Sequence, residues 1–405
     1  KGEWLLGFGF DAGHLDAGAL TPTVYLDQVS EEIPVLAIDA TRRWAMLNRA
    51  GQQTLEKGGL SHRLIIDRTT GQVPASEFIP LLPDILPRKT SAHALFQLKC
   101  AEEAYLERGF TTIQDGLTGP KELQLLQMAA VEGLLRADII GFQEARWWGE
   151  ESLLCSLAAD YHQHFRWGGV KELGLAVTKG SPAGTPEGSL QQLRRTIERA
   201  ETEQVQVVVP CYDEDACDLI LSLMDHPTTL RPVFLLTHTV RDDQLRKIKM
   251  LGGIPCFFIT QSYYRGDYYL RSLGEKNLHK VSPAKTAAQL GLHYTFHQDT
   301  PGFPPHPLES IWSAVNRTMP DGTVVGPEER VSVKEAMKAV TIHAAFQCFE
   351  EETKGSLTPG KRADLVVLDQ SPLRVASAEI KAIQVLQTIK DGKVIYQRET
   401  QGSSC

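Results

Sequence analysis

The chain predicts an α/β barrel built on a parallel sheet, with a small β appendix at its C-terminal end. Two observations carry this. Between about residues 110 and 300, short apolar or β-branched runs alternate with amphipathic helical stretches across short joints, the pattern of strands linked by crossover helices. About eight such units point to a barrel rather than an open sheet. Past residue 350 the helical spacing stops, and Asp391-Gly392 separates two apolar runs, a strong hairpin signal.

In chain order, Trp4 to Asp11 reads as an extended segment and Ile33 to Ile38 as a buried strand. Trp44 to Lys57 has helical spacing and stops at Gly58-Gly59, a C-cap signal. Ile65 to Pro87 is proline-rich and irregular, and Ser91 to Arg108 is an amphipathic helix closing at Gly109. Strand Thr111 to Gly116 carries Gln114 and Asp115 at its polar end. Helix Pro120 to Glu132 and strand Asp138 to Phe142 follow. Alternation continues with strand Gly169 to Val177, helix Ser189 to Thr202, strand Gln204 to Val209 and helix Asp213 to Met224. Strand Val233 to Thr237, helix Asp242 to Leu251, strand Cys256 to Thr260 and helix Ser282 to Leu290 come next. Leu292 to Phe296 is the last barrel strand, bounded by Gly291 and Pro301. His297 and Asp299 stand two residues apart at its C-terminal end and so share a side. That end of a parallel strand is where α/β barrels place their chemistry. Helix Val333 to Phe349 leads into strands Leu365 to Leu368, Ile383 to Ile389 and Val394 to Tyr396.

The 405 residues are 42% hydrophobic and 23% charged, an ordinary globular composition. A net charge of -8 and a pI near 5.9 argue against nucleic acid or an anionic membrane as partner. No apolar run reaches the roughly 18 residues that span a bilayer. The seven cysteines are odd in number and scattered without a CxxC pair, which fits free thiols in a reducing, cytoplasmic compartment and not a thiolate zinc site. The chain begins at Lys1 with no start element or signal segment, and residues upstream are expected.

Several side chains stand where chemistry is expected. Lys171 follows Gly168-Gly169, and a functional lysine there would be buried. Cys211 and Tyr212 close a strand and are better pocket candidates than Asp213-Glu214-Asp215, which reads as a solvated helix N-terminus. Tyr263, Tyr264, Tyr268 and Tyr269 line either an aromatic lid or an ordinary half-buried loop.

The segment Gly355-Ser356-Leu357-Thr358-Pro359-Gly360-Lys361-Arg362-Ala363-Asp364-Leu365-Val366-Val367-Leu368-Asp369 resembles the GS-x-x-PGK-x-ADLVVLD stretch of the amidohydrolase superfamily. Gly7 to Asp11, Asn48, Gly109 to Asp115, Arg241 to Leu245, His297 to Pro301 and Gly326 to Arg330 are similar to its N-substituted formamide deformylase-like (YtcJ-like) branch. The resemblance implies a distorted (β/α)8 barrel over residues 1–350, with an early insertion over about residues 1–90. It further implies a β-sandwich annex over residues 351–396, whose N-terminal strands are expected upstream, and a flexible tail over 397–405. It implies a metal-dependent hydrolase that cuts C–N bonds. The family's ligand set is a His-x-His on the first strand, a lysine on the fourth, histidines on the fifth and sixth, and an aspartate on the eighth. Zn, Fe or Mn suits such donors.

Carried over residue by residue, Asp299, His238 and Lys171 occupy three of those positions. Pro210 stands where the fifth-strand histidine is expected, Leu175 replaces an aspartate after the lysine, and Arg43 and Gln261 replace pocket histidines. The expected site is therefore Asp299, His238, Lys171 and His297 for catalysis. Arg43, Gln114, Tyr212, Gln261, Tyr263 and Tyr264 are expected against the substrate. Proline has no donor atom, so a closed two-metal site is not expected. Two chemistries remain open for a small-molecule substrate. One is C–N hydrolysis with one divalent metal; the other is a metal-independent cyclisation, isomerisation or elimination with Asp299 and His238 as acid and base. A non-catalytic binding protein is the third reading. Barrels of this superfamily often dimerise, so a homodimer is also expected.

Overall fold

The computed structural model describes residues 4–10, 21–39, 44–59, 64–78, 81–82, 90–148, 160–172, 187–236 and 239–399. The chain divides into two compact units. The smaller comprises Lys1–Ala94 and Asp299–Pro304, the larger Leu95–Gln298 and Pro305–Cys405.

The smaller unit holds a four-stranded sheet in the order β1 (Leu5–Phe10), β2 (Val35–Asp39), β3 (Trp44–Leu47), β4 (Gln72–Pro74). Trp44–Leu47 is a strand, not the start of the helix that the spacing predicts; the helix runs Arg49–Lys57. Asn48 sets that boundary. Its buried side-chain oxygen accepts from Gly51 N, as an N-cap does, and also from Val35 N, while its amide donates to Ser30 O and Ile33 O. One fully satisfied asparagine thus ends β3, starts the helix and ties both to β2.

The larger unit is built on a curled, parallel seven-stranded sheet. Its strands are β5 (Thr112–Thr118), β6 (Asp138–Glu144), β7 (Phe165–Lys171), β8 (Val207–Cys211), β9 (Val233–Leu236), β10 (Ile254–Phe257) and β11 (Thr295–Phe296), each paired with the next in sequence. Side chains of β8 separate the two faces by alternation. Val207, Val209 and Cys211 pack outward on helix residues such as Leu193, Ile197, Cys217 and Ile220. Val208 instead joins Ile140, Phe142, Val233 and Cys256 in a separate cluster on the concave face. The helix expected over 333–349 is two, Val333–Ala339 and Ile342–Gln347. The C-terminal strands β12 (Leu365–Leu368), β13 (Val385–Lys390) and β14 (Lys393–Gln397) form a three-stranded antiparallel sheet. Among the described residues no helix is long and apolar enough to cross a membrane.

The N-terminal end of the curled sheet is closed by a buried ion cluster. Asp138, the first residue of β6, is 0% exposed and receives Lys354 Nζ at 2.5 Å, Lys390 Nζ at 3.0 Å and His164 Nδ1 at 2.8 Å. Lys354 also bonds Glu350 at 3.1 Å, and Lys390 bonds Asp364 at 3.0 Å. The charges satisfy one another, as buried charges must. They fasten β13 and the segment after Gln347 to the base of the sheet.

Candidate active site

Lys171 reaches the concave face because β7 carries a bulge. Gly141 pairs with Trp167, but Phe142 pairs with Gly169, so Gly168 is an extra residue that shifts the phase of alternation. Before it, Phe165 and Trp167 pack outward; after it, Val170 packs outward and Lys171 turns inward. Only glycine fits at 168, since a Cβ there would lie 2.5 Å from both Ile140 Cγ2 and Phe142 Cε2. Lys171 Nζ lies 3.3 Å from where a Cβ on Gly116 of β5 would stand, so the ammonium crosses the concavity to the C-terminal end of β5. Asp115 is the residue before Gly116. Burial pushes that carboxyl up, against the weaker opposing pull of a 2.7 Å bond from Thr118 Oγ1 and the nearby Lys171 charge. In the sequence Asp115 is only a polar strand end, and its burial does not follow from spacing.

Pro210 shares the phase of Val208 and so belongs to the concave face of β8, between β7 and β9. It brings no donor atom there. Cys211 is on the other side, buried against Cys217, and Asp213 caps the helix Glu214–Leu221 by accepting from Ala216 N at 2.8 Å. Burial raises the Cys211 thiol well above its ordinary range, assisted by Cys217. The acidic run is thus a helix start. Tyr212 follows β8 half-buried.

At the far edge, His297 directly follows β11, its ring 5.2 Å from that of Phe258 and its backbone N–H bonded to Phe257 O at 3.0 Å. Gln114, on β5, accepts from Gln347 Nε2 at 2.9 Å. Gln261 is buried and its side-chain oxygen accepts from the Tyr269 hydroxyl. Tyr263 stacks edge-on against Trp312 and lies under the Lys381 ammonium, in the packing of the outer helical side. Tyr264 donates to both Glu309 oxygens, and burial together with that carboxylate pushes its phenol up. Asp299 lies in the short segment of the smaller unit, exposed and with φ of 54°. Arg43, His238 and Leu175 lie outside the described residues.

The family pattern implies a divalent metal, and the donor set tests this. Among the described residues no three His, Cys, Asp or Glu side chains gather closely enough to hold an ion. On the concave face Lys171 is followed around the sheet by Pro210 and Leu235, neither of which offers a ligand atom. The described residues therefore do not make up a ligand set by themselves.

The amidohydrolase family profile matches residues 1–396. The chain is 24% identical over 436 residues to the N-substituted formamide deformylase of Arthrobacter pascens, covering 98% of this chain and 80% of that protein. It superposes on an uncharacterized metal-dependent hydrolase from Pyrococcus horikoshii with a TM-score of 0.72 at 21% identity, covering 93% of this chain and 79% of the other. The corresponding figures for one from Pyrococcus furiosus are 0.69, 23%, 92% and 79%. The chain belongs to the amidohydrolase family and is a hydrolase of that kind.

Proposed function

We propose that this enzyme hydrolyses an amide-type or cyclic C–N bond of a small, uncharged, ring-bearing molecule, using at most one divalent metal. The observation that carries the reading is the bulge-directed placement of Lys171 on a concave face that also carries the apolar side chains of Phe142, Val208 and Leu235. There the Lys171 ammonium stabilises the oxyanion that forms as the carbonyl is attacked, and the apolar walls strengthen that attraction by excluding water. His297 moves the proton between the attacking water and the leaving nitrogen. On the family's pattern Asp299 and His238 also belong to proton transfer. Arg43 and Gln261 are assigned to the substrate on the same basis, Gln114 and Tyr212 from their places at or near strand ends, and Tyr263 and Tyr264 from the aromatic loop they form. The same reading closes the curled sheet into a (β/α)8 barrel over 1–350. It makes the C-terminal sheet one layer of a sandwich over 351–396, leaves 397–405 as a tail, and takes the enzyme as a cytoplasmic homodimer. A metal-independent isomerase or lyase is the second reading, favoured by Pro210 on the concave face.

The test is product analysis on a panel of N-aryl formamides, amides and cyclic imides, with and without prior chelation. The proposal expects hydrolysis of at least one class: amine plus formate or carboxylate from formamides and amides, or the ring-opened half-amide carboxylate from imides. Rearranged or eliminated products that survive chelation, with no hydrolysis, would support the second reading instead.

A further inference from the structure

We infer that Gln347 is a positioning residue for this site, its amide bracing β5 against β11; the inference rests on the placement of Lys171 and His297 proposed above. β5 and β11 are the two ends of the seven-strand order, and each has a ladder partner in that sheet on one side only. Gln347 is 5% exposed and uses both ends of its amide at once. Nε2 donates to Gln114 Oε1 on β5 at 2.9 Å, and Oε1 accepts from Thr295 Oγ1 on β11 at 2.7 Å. Its own backbone oxygen is held by Gln206 Nε2 at 2.9 Å, just before β8.

The segment that carries Gln347 is anchored on both sides. His343 Nδ1 lies 3.1 Å from Tyr294 O, Cys348 packs on the concave cluster, and Lys354 is locked onto Asp138. The brace is therefore fixed, and the strand ends are what it holds. Strand period then transmits its position to the proposed site. Gly116, against which Lys171 Nζ rests, is two residues beyond Gln114, and His297 is two beyond Thr295. Two residues of backbone join each pair: the β5 ladder shifts between Asp115 and Thr118, but the Lys171 contact sets Gly116 on the concave face, and His297 continues the β10–β11 ladder through its N–H to Phe257 O. An apolar residue at 347 leaves the half-buried Gln114 amide and the buried Thr295 hydroxyl without this partner, and frees both edges to shift.

The experiment compares Gln347→Leu, Gln347→Glu and the unaltered chain by the acetylation rate of Lys171 with acetic anhydride. Rates are read by peptide mass spectrometry against exposed Lys121 in the same molecule, with thermal unfolding measured in parallel. The Leu variant is expected to raise the Lys171/Lys121 ratio by about fivefold, the loss of about one net hydrogen bond's restraint. The Glu variant keeps the acceptor for Thr295 but loses the donor to Gln114, and is expected to raise the ratio by about threefold. A ratio within about twofold of the unaltered chain, even with a lowered Tm, overturns the inference, because a purely structural role moves Tm without moving the ratio. Should the Leu variant fail to fold, the Glu variant decides by the same criterion. Hydrolysis is scored separately: its absence in the unaltered chain sinks the proposed function, while the acetylation ratio still decides the role of Gln347.

Discussion

Replacing Asp138 by alanine is expected to cost about 3–5 kcal/mol of stability, because it leaves two buried ammonium groups without their shared carboxylate. Lys354 and Lys390 are only 5% and 2% exposed, so water cannot take its place. Urea unfolding of the variant and the unaltered chain measures the difference. The pH dependence has a definite sign. Burial alone would push the Asp138 carboxyl up, but the Lys354 charge, the bonds from Lys354 and His164 and the Lys390 charge outweigh it and hold it low. A depressed carboxyl contributes stability that is complete above its unfolded value of about 3.9 and is lost as pH falls through its folded value. Burial likewise opposes the charge on Lys390, yet Asp138 and Asp364 hold its ammonium above the usual lysine range. That contribution is complete below about pH 10.4 and is lost as pH rises through the folded value. The gap between the unaltered chain and the alanine variant is therefore widest near neutrality and closes at strongly acid pH. A gap that stays constant down to about pH 2 would contradict the assignment.

Lys171→Met is expected to lower kcat/KM by about 100-fold or more while leaving the folded state intact, since it removes the cation that the proposed function sets at the reacting carbonyl. Methionine matches the length and apolar stem of lysine, so packing in the concavity is retained. Lys171→Arg is not expected to restore activity. A planar, forked guanidinium does not reproduce the compact point charge of the ammonium at that place. Steady-state kinetics on the best substrate of the panel, with circular dichroism as the folding check, decides this. Activity within about threefold of the unaltered enzyme would remove Lys171 from the site.

Much of the parallel sheet is readable from the chain because most of its strands are short apolar runs, and β8 runs straight into the Asp213-capped helix Glu214–Leu221. Edges are less readable. Trp44–Leu47 carries apolar residues that satisfy helical spacing as well as strand spacing, and only the Asn48 cap distinguishes them. The long helix over 333–349 breaks at Thr341, whose φ of -129° and ψ of -96° are not helical. The direction in which Lys171 points is hidden by the bulge: strict alternation from Trp167 would put it on the outer face, and one extra glycine reverses that. That Pro210 stands at a ligand position is an expectation of the family resemblance; its side of β8 follows from its alternation with Val208. Gln347 is not legible in the sequence, because it belongs to no motif and matters only through partners on β5 and β11, which folding alone brings within its reach. The Asp138 cluster has the same origin, joining β6 to residues far along the chain.

On the proposed function, the family's two-metal site persists here only in part, with Lys171 working from a face where Pro210 supplies no ligand. Metal analysis of the purified, catalytically active full-length enzyme by plasma mass spectrometry tests it most directly. At most one equivalent of Zn, Fe or Mn per chain is the predicted result; two equivalents, both needed for hydrolysis, would contradict it.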